Sequence, residues 1–165
     1  MKNLAVAFSG PSNSGKTSLI VKISNNLKDK YQVAIIKHDP GDKASFDKDG
    51  KDSWKFAQTG AEVIVASPTR TTFFSQKRKE LDELIRIFDE FDILIVEGLK
   101  TLPLPRISIF RNEIDESYLK YSNAIAIDES VDLKKYNIPE NMDILDLNDT
   151  DAIIEWIFKN AKKVK

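Results

Sequence analysis

The segment from Gly10 to Thr17 constrains the fold of this chain more than any other part of the sequence. Its residues, Gly-Pro-Ser-Asn-Ser-Gly-Lys-Thr, match the pattern G-x-x-x-x-G-K-[ST] of phosphate-binding loops. A short apolar run from Leu4 to Phe8 precedes the segment, and apolar residues at helical spacing follow it from Thr17 onward. A strand, a glycine-containing loop and a helix in this order predict a P-loop nucleotide-binding domain.

The loop predicts a phosphate site in which the backbone and the side chains act together. Glycines let the backbone approach the phosphates, successive N–H groups point at the anion, and the helix start adds the positive end of its dipole. Lys16 is expected to reach the β- and γ-phosphates and to serve catalysis, and the Thr17 hydroxyl is expected to ligate Mg²⁺. The predicted nucleotide-binding residues of the loop are Gly10, Pro11, Ser12, Asn13, Ser14, Gly15, Lys16, Thr17 and Ser18.

The rest of the chain alternates between helical and short apolar patterns, which is typical of α/β folds. Short apolar runs predict strands at residues 33–36, 93–96, 107–110, 124–127 and 144–147. Helical patterns predict helices at residues 17–27, 51–59, 81–88 and 149–158. Two β-rich runs, 63–66 and 71–75, predict a hairpin. We therefore predict a single three-layer α/β domain over residues 1–165, with a mainly parallel sheet and a β-hairpin addition.

A carboxylate ends the apolar run of residues 93–96. The segment from Asp92 to Gly98 has the form of a Walker B strand, an apolar run that is followed by Glu97. In open α/β sheets the ligand lies outside the carboxyl ends of the strands. Glu97 is therefore a candidate to hold Mg²⁺, directly or through water, or to position an attacking water. A solvated carboxylate at a strand end is the alternative.

Lys37, His38 and Asp39 follow the strand predicted at residues 33–36 and so fall on the same sheet edge. Asp39 is a catalytic candidate that would order Mg²⁺ or water, although a loop carboxylate without this role is equally compatible with the sequence. His38 is the single histidine, which fits either a general base or a structural or exposed residue. The basic cluster within residues 70–79 fits either a contact to phosphate or an exposed helix start.

Charge and composition exclude several classes of function. The chain has 25 Lys and Arg against 26 Asp and Glu, a formal net charge of -1, so there is no global basic field to hold nucleic acid. Cysteine is absent, which excludes disulfides, thiolate metal sites and cysteine nucleophiles. No apolar stretch approaches the roughly 20 residues that span a bilayer, so we expect a cytoplasmic protein that binds neither membranes nor nucleic acid.

On these residues the chain resembles the MobB family, the molybdopterin-guanine dinucleotide biosynthesis adapter proteins. The resemblance runs from Lys2 to about Arg111 and continues more weakly to the end of the chain. It is carried by the loop at residues 10–17, Lys37-His38 with Asp47, Gly50-Lys51-Asp52-Ser53 and Gly60-Ala61, and Val96-Glu97-Gly98-Leu99-Lys100 before Pro105-Arg106-Ile107. Family members commonly continue with histidines after Lys-His, whereas this chain has Asp39-Pro40-Gly41-Asp42, so no role of those histidines is transferred.

The resemblance implies GTP binding with slow hydrolysis, Mg²⁺ as the metal, and a homodimer. It also implies partnership with the guanylyltransferase MobA, which attaches GMP to molybdopterin, and makes molybdopterin and a molybdoenzyme further candidate partners. Carried over by position, it assigns phosphate binding to Gly10 to Ser18 and metal binding to Thr17 and Glu97. It places Lys51, Asp52 and Ser53 in a signature loop near the nucleotide.

Guanine recognition has no standard motif in this sequence, because the Asn-Lys-x-Asp pattern of many GTPases is absent. Asp128, at the end of the strand predicted at residues 124–127, is the candidate replacement, since a carboxylate can accept hydrogen bonds from the N1–H and 2-amino groups of guanine. Two other functions stay open. One is a P-loop small-molecule kinase with residues 70–79 as a cationic lid, and the other is a non-catalytic adapter that uses nucleotide as a structural ligand.

Overall fold

The computed structural model describes residues 3–165, which form two compact units. The first unit runs up to His38 and resumes at Phe88, and the second comprises Asp39–Ile87. Residues 1 and 2, with which the predicted domain and the family resemblance begin, lie outside the described part of the chain. The assignment of the chain to a single domain stays a prediction.

The chain alternates strands and helices along most of its length. Its strands are β1 (Leu4–Ser9), β2 (Val33–Lys37), β3 (Val63–Ala66), β4 (Thr71–Phe74), β5 (Ile93–Glu97), β6 (Arg106–Phe110), β7 (Ala124–Ile127), β8 (Asp143–Asp146) and β9 (Lys162–Lys163). Its α-helices are α1 (Lys16–Leu27), α2 (Asp52–Gln58), α3 (Leu81–Ile87) and α4 (Thr150–Asn160), and 3₁₀ helices lie at Glu116–Tyr121 and Leu133–Lys135. Strands β3 and β4 with α2 and α3 belong to the second unit, and the other elements belong to the first.

The first unit is built on one sheet, in which six parallel strands have the order β2-β5-β1-β6-β7-β8 and β9 pairs antiparallel with β1. Strand β1 lies between β5 and β6, with Phe8 opposite Glu97 and Ser9 opposite Ser108. Strand β2 lies on the other side of β5 and places Lys37 opposite Glu97. Because parallel strands end at the same edge of a sheet, the residues that follow β1, β2, β5 and β6 meet at one edge.

The central strands β1, β5, β6 and β7 are buried on both faces, which explains why β1, β5 and β7 are nearly continuous apolar runs rather than alternating ones. One face packs against α1 and α4, whose apolar residues recur at helical spacing, as in Ile20 and Ile23 of α1. The other face packs against residues around the 3₁₀ helices, where Leu119 contacts the cluster that contains Phe110. Burying each such side chain stabilises the fold by about 1.5–3 kcal/mol. Burial of both faces therefore holds these strands in place, and with them the edge of the sheet from which the loop at residues 10–17 begins.

The second unit contains a two-stranded antiparallel hairpin. Strands β3 and β4 pair Val63 with Phe74 and Ala66 with Thr71. The turn between them is closed by the Ser67 backbone N–H, which donates to the Arg70 carbonyl at 2.8 Å. This hairpin forms a two-stranded sheet of its own.

The predicted fold class is confirmed, since a mainly parallel sheet with flanking helices is accompanied by a separate hairpin. The closing helix α4 is capped by Asp149, whose side chain accepts from the Ala152 backbone N–H at 2.9 Å. Strand β9 was not predicted, because two residues are too few to show a periodic pattern. No helix within residues 3–165 is long and apolar enough to cross a membrane.

Candidate functional site

The phosphate loop joins the central strand β1 to helix α1. Gly10 and Gly15 have φ angles of +137° and +97°, and Asn13 has a φ of +63°. These are conformations that glycine adopts freely and asparagine tolerates, which explains the residue types at these positions. Helix α1 begins at Lys16, directly after Gly15, and no side chain caps it. The first N–H groups of the helix are therefore available to an anion.

Gly10 anchors the start of the loop on strand β6. A Cβ atom at this position would lie 2.3 Å from the carbonyl oxygen of Ile109 and 3.1 Å from Oγ of Ser14. No side chain fits into that space, so the close approach of loop and strand requires glycine. The first glycine of the motif is thus needed for packing as well as for its φ angle.

A cavity of about 320 Å³ opens at the loop. It lies within the size range of small-molecule sites, about 300–1,000 Å³. The predicted phosphate-binding residues that line it are Asn13, Gly15, Lys16, Thr17 and Ser18. Thr17 and Ser18 are exposed, so their backbone N–H and hydroxyl groups are accessible at the helix start.

The Lys16 ammonium lies across the loop and donates to the carbonyl oxygens of Gly10 at 3.0 Å and Pro11 at 2.6 Å. Burial lowers the pKa of Lys16, the charge of Glu97 raises it by a smaller amount, and the charge of Lys37 lowers it further. Lys16 therefore shares one electrostatic site with Glu97 and Lys37, the terminal residues of β5 and β2.

Glu97 ends β5 beside the loop and is half-buried. Its carbonyl oxygen accepts from the His38 backbone N–H at 3.0 Å, and the next residue, Gly98, donates from its N–H to the Phe8 carbonyl at 2.9 Å. A Cβ on Gly98 would lie 3.0 Å from Cβ of His38, so His38 packs against the turn after β5. The sheet thus brings Glu97 to the strand that carries the loop.

The oxygen ligands at the loop fit a metal ion that binds together with the phosphates of a nucleotide. Within residues 3–165 there is no group of three or more His, Cys, Asp or Glu side chains that could hold a metal ion. Mg²⁺ in phosphate-binding enzymes is usually held by one or two carboxylates together with the phosphates themselves. The hydroxyl of Thr17 and the carboxylate of Glu97 are ligands of the required type on the first turn of α1 and at the end of β5.

Asp128 reaches the loop through Arg111, a residue that the sequence analysis missed. The Arg111 Nε lies 3.4 Å from Oδ2 of Asp128 and 3.4 Å from the position that a Cβ on Gly15 would take. The hydroxyl of Ser130 donates to Oδ1 of Asp128, and the Ser130 N–H donates to the same oxygen at 3.1 Å. The Ser130 hydroxyl is the main cause of the lowered pKa of Asp128, and the charge of Arg111 adds to it. One signal could have found Arg111, since it directly follows β6 at the loop edge.

The predicted residue Asp39 lies in the second unit and organises the chain that follows it. Its carboxylate accepts from the backbone N–H groups of Gly41 at 3.3 Å, Lys43 at 2.7 Å and Ala44 at 2.7 Å. This is the pattern of an Asx turn. Asp39 thus has a structural role in its own loop, and the catalytic role stays a prediction.

The signature segment Lys51 to Ser53 also lies in the second unit, at the start of α2. Lys51 is the residue before the helix, Asp52 begins it and pairs with Lys55 at 3.7 Å, and the Ser53 hydroxyl donates to Asp47 Oδ1 at 3.0 Å. Asp47 is thus tied to the helix start. The predicted contact of this segment with nucleotide stays a prediction.

The basic cluster of residues 70–79 is partly neutralised within the second unit. Lys79 Nζ lies 2.9 Å from Oε1 of Glu62, and Arg78 Nε lies 3.4 Å from Oε1 of Glu80. These pairs precede the first residue of α3, Leu81, as expected for an exposed helix start. They give no separate support to a cationic lid.

Comparison with known proteins identifies the family of this chain. The family described as molybdopterin guanine dinucleotide synthesis protein B matches residues 5–130, which include the loop, the end of β5 and Asp128. This chain belongs to the MobB family. The resemblance seen in the sequence is thereby confirmed.

Relatives within the MobB family match most of the chain. Molybdopterin-guanine dinucleotide biosynthesis adapter proteins of Haemophilus influenzae and Escherichia coli are 33% and 31% identical, and the matches cover 92% and 93% of this chain and 86% and 93% of those proteins. A crystal structure of a molybdopterin-guanine biosynthesis protein B superimposes with a TM-score of 0.72 at 25% identity, over 94% of this chain and 99% of that one. The MobB family therefore accounts for both units of the chain.

Proposed function

We propose that this MobB-family chain binds GTP with Mg²⁺ at the phosphate loop, hydrolyses it slowly, and serves as an adapter in the biosynthesis of molybdopterin guanine dinucleotide. The observation that carries the proposal is the cavity at the uncapped start of α1, which Lys16 and Thr17 line, with Glu97 at the end of the neighbouring strand β5. The biosynthetic role is supported by the names of the relatives from Haemophilus influenzae and Escherichia coli.

The proposed partner is a MobA-type guanylyltransferase, with molybdopterin or a molybdoenzyme as further candidates. An adapter of this kind would bind its partner in a manner that depends on nucleotide. Co-sedimentation of the two purified proteins with GTP, with GDP and without nucleotide tests this arrangement. Association that is the same in all three conditions contradicts a nucleotide-dependent adapter.

Phosphate binding would use the backbone of the loop and the Lys16 ammonium. The N–H groups at the start of α1 donate to phosphate oxygens, and the cavity lined by Asn13 and Thr17 holds them. The Lys16 ammonium exchanges the carbonyl oxygens of Gly10 and Pro11 for phosphate oxygens, which carry a full negative charge. Binding is therefore favoured by charge without any change in the strands that position the loop.

Hydrolysis would rely on Thr17 and Glu97. Mg²⁺, when bound, neutralises charge on the phosphates and polarises the bond that breaks. The Thr17 hydroxyl and the Glu97 carboxylate would hold it, and Glu97 would also orient a water toward the γ-phosphate. The reaction is expected to be slow, because an arginine that stabilises the transition state supplies about 10³–10⁵ in rate and Arg111 is engaged by Asp128 instead.

Calorimetric titration of GTP, GDP and ATP into the purified protein with Mg²⁺ tests the proposal. Preference for GTP over ATP is the expected result. Preference for ATP, together with phosphoryl transfer to a small acceptor, would contradict it and favour a small-molecule kinase.

Asp128→Asn is expected to lower the affinity for GTP by about 10- to 100-fold and to leave the affinity for ATP unchanged, since hydrogen bonds to a charged group contribute about 1.5–3 kcal/mol. The carboxylate accepts from two guanine donors, whereas an amide presents a donor of its own. Calorimetric titration of GTP and of ATP into the variant and the wild type measures the change in each affinity. The matched control is Asp115→Asn, because Asp115 also accepts a backbone N–H, from Ser117, at the start of a 3₁₀ helix. Equal losses for GTP and ATP would show that Asp128 acts only through Arg111 on the loop.

We propose that the chain is a homodimer whose interface includes the hairpin of β3 and β4. Ile64, Val65 and Phe73 of this hairpin are exposed by 65%, 42% and 37%. A two-stranded sheet is marginally stable in water unless another surface covers it, and clustered apolar exposure marks interaction sites. Ile64→Glu is expected to convert the dimer into a monomer in sedimentation velocity. Phe46→Glu, at an 85% exposed apolar residue outside the hairpin, is the control that should stay dimeric.

A further inference from the structure

Arg106 is fully buried and, within residues 3–165, no carboxylate pairs with it. Its Nη1 donates to Oγ of Ser9 at 2.6 Å and to the carbonyl oxygen of Gly98 at 3.0 Å. Its Nη2 donates to the carbonyl oxygens of Leu99 at 2.9 Å and Leu102 at 3.3 Å. Burial of a charge is costly unless hydrogen bonds compensate it, and an apolar side chain would fill the same space without that cost. Core packing alone therefore does not explain an arginine here.

The four acceptors of Arg106 belong to the two segments that build the proposed site. Ser9 is the last residue of β1, directly before the phosphate loop. Gly98, Leu99 and Leu102 lie in the turn that directly follows Glu97. One guanidinium therefore joins the base of the loop to the turn after the metal-binding carboxylate.

The turn has a backbone conformation that needs such support. Leu99 has a φ of +48° and Gly98 a φ of +90°. A non-glycine residue in the left-handed region costs about 1–3 kcal/mol, and it persists only where surrounding contacts fix it. The bonds from Arg106 to the carbonyl oxygens of both residues are contacts of this kind.

The charge of Arg106 is retained despite its burial. Burial lowers the pKa of Arg106, but a guanidinium stays protonated in proteins. Its Nε is buried and has no hydrogen-bond partner in the described part of the chain, so the bonds of the two Nη atoms supply the compensation. A planar fork with donors in fixed directions can hold several carbonyl groups at once, whereas the single nitrogen of a lysine cannot reproduce that geometry.

We infer that Arg106 is a positioning residue, which locks the turn after Glu97 to the base of the phosphate loop and so holds the Glu97 carboxylate where Mg²⁺ binds. This inference rests on the function proposed above. It differs from a purely structural role in one respect that can be measured. A positioning residue changes how strongly Mg²⁺ enhances GTP binding, whereas a structural residue changes stability and binding with and without Mg²⁺ alike.

The test compares GTP affinity in Mg²⁺ and in EDTA for Arg106→Met, Arg106→Lys and Glu97→Gln. Groups that orient metal ligands typically change metal affinity by about 10- to 100-fold when they are replaced. We expect the enhancement by Mg²⁺ to fall about 10-fold in Arg106→Met and in Glu97→Gln, and the GTP affinity of Arg106→Met in EDTA to stay within about twofold of the wild-type value. Arg106→Lys should recover part of the enhancement, because it restores charge but not the fork.

Melting temperatures separate this effect from loss of stability. Ile153→Ala, at a fully buried position of α4, is the control that should lower the melting temperature and leave the enhancement by Mg²⁺ unchanged. Where Arg106→Met does not fold, Ser9→Ala removes one acceptor and should reduce the enhancement in the same direction. The inference would be overturned if Mg²⁺ enhanced GTP binding by the folded variants as much as by the wild type. It would also be overturned if the variants lost GTP affinity equally in Mg²⁺ and in EDTA. Wild-type protein that does not bind GTP would overturn the proposed function itself, a result visible before any variant is made.

Discussion

GTP affinity is expected to fall about 100-fold when Lys16 is replaced by Ala, because a hydrogen bond from a charged donor contributes about 1.5–3 kcal/mol and 1.4 kcal/mol is tenfold. The Lys16 ammonium lies at the loop, where it contacts the carbonyl oxygens of Gly10 and Pro11. Removing the ammonium leaves the backbone N–H groups of α1 in place, so the decrease in GTP affinity measures the contribution of the Lys16 side chain alone. Calorimetric titration of GTP with Mg²⁺ measures the change.

Lys22→Ala is the matched control for this variant, because Lys22 is an exposed lysine of the same helix. It removes the same charge without removing a group from the loop, and it should bind GTP like the wild type. The melting temperature of Lys16→Ala should stay close to that of the wild type, since Lys16 is only partly buried. Unchanged GTP affinity in a folded Lys16→Ala variant would show that the nucleotide binds elsewhere.

The pH dependence of GTP binding gives a second readout of the same side chain. Burial is the main cause of the lowered pKa of Lys16, so its ammonium loses its proton at a lower pH than an exposed lysine does. The proposed contact with phosphate requires the protonated ammonium, so the affinity for GTP should decrease as the pH rises through the pKa of Lys16 in the free protein. Lys16→Ala should lose this alkaline decrease. A decrease of the same size in the variant would assign it to another group.

Lys16→Ala also separates a GTPase from a non-catalytic adapter. In a chain that uses nucleotide as a structural ligand, the variant loses activation of the guanylyltransferase although the wild type shows no turnover. In a GTPase, the wild type releases phosphate and the variant does not. A phosphate-release assay beside the activation assay distinguishes the two cases.

Gly10→Ala is expected to destabilise the first unit by about 3 kcal/mol, since overpacking and a strained φ each contribute about 1–3 kcal/mol. The new Cβ would lie 2.3 Å from the Ile109 carbonyl oxygen, and the φ of +137° is strained for alanine. For a protein of this size the melting temperature should decrease by about 6–12 °C, because 1 kcal/mol corresponds to about 2–4 °C. Thermal unfolding followed by circular dichroism measures the shift, and GTP affinity should decrease as the loop is displaced from β6.

Gly60→Ala is the control that separates the clash from the strain. Gly60 has a φ of +83°, but nothing lies within 4 Å of the position of its Cβ. Gly60→Ala therefore carries the conformational cost alone, about 1–2 kcal/mol. A decrease in melting temperature that is the same for Gly10→Ala and Gly60→Ala would contradict the close packing of the loop on Ile109.

The sequence predicted the parts of the site that are local in the chain. The loop from Gly10 to Thr17, the strand before it and the helix after it form one contiguous segment, and each residue type there has a local reason. The same holds for Glu97 at the end of β5. Apolar periodicity reports which face of an element is buried, so the α-helices and the strands other than β9 were predicted within a few residues of their ends, whereas the two 3₁₀ helices were not predicted.

The contacts that connect distant segments were not predictable in this way. Arg106 bonds to Ser9, 97 residues earlier in the chain, and nothing in the pattern around either residue indicates the other. Arg111 lies against Gly15 because β6 is the neighbour of β1, and apolar periodicity does not give the order of strands. Strand β9 pairs with β1 through two residues, too few to form a pattern.

The sequence by itself determined the family and the class of fold and predicted the phosphate loop, because these depend on residue types at short, fixed spacings. Only the tertiary structure decided which side chains surround that loop. Parallel strands from distant parts of the chain end at one edge of the sheet, and this arrangement places Glu97 and Lys37 near Lys16 and brings Arg106 under the turn after β5. The physical reason is that burial fixes each strand locally, whereas the strand order follows from how all the apolar faces pack together.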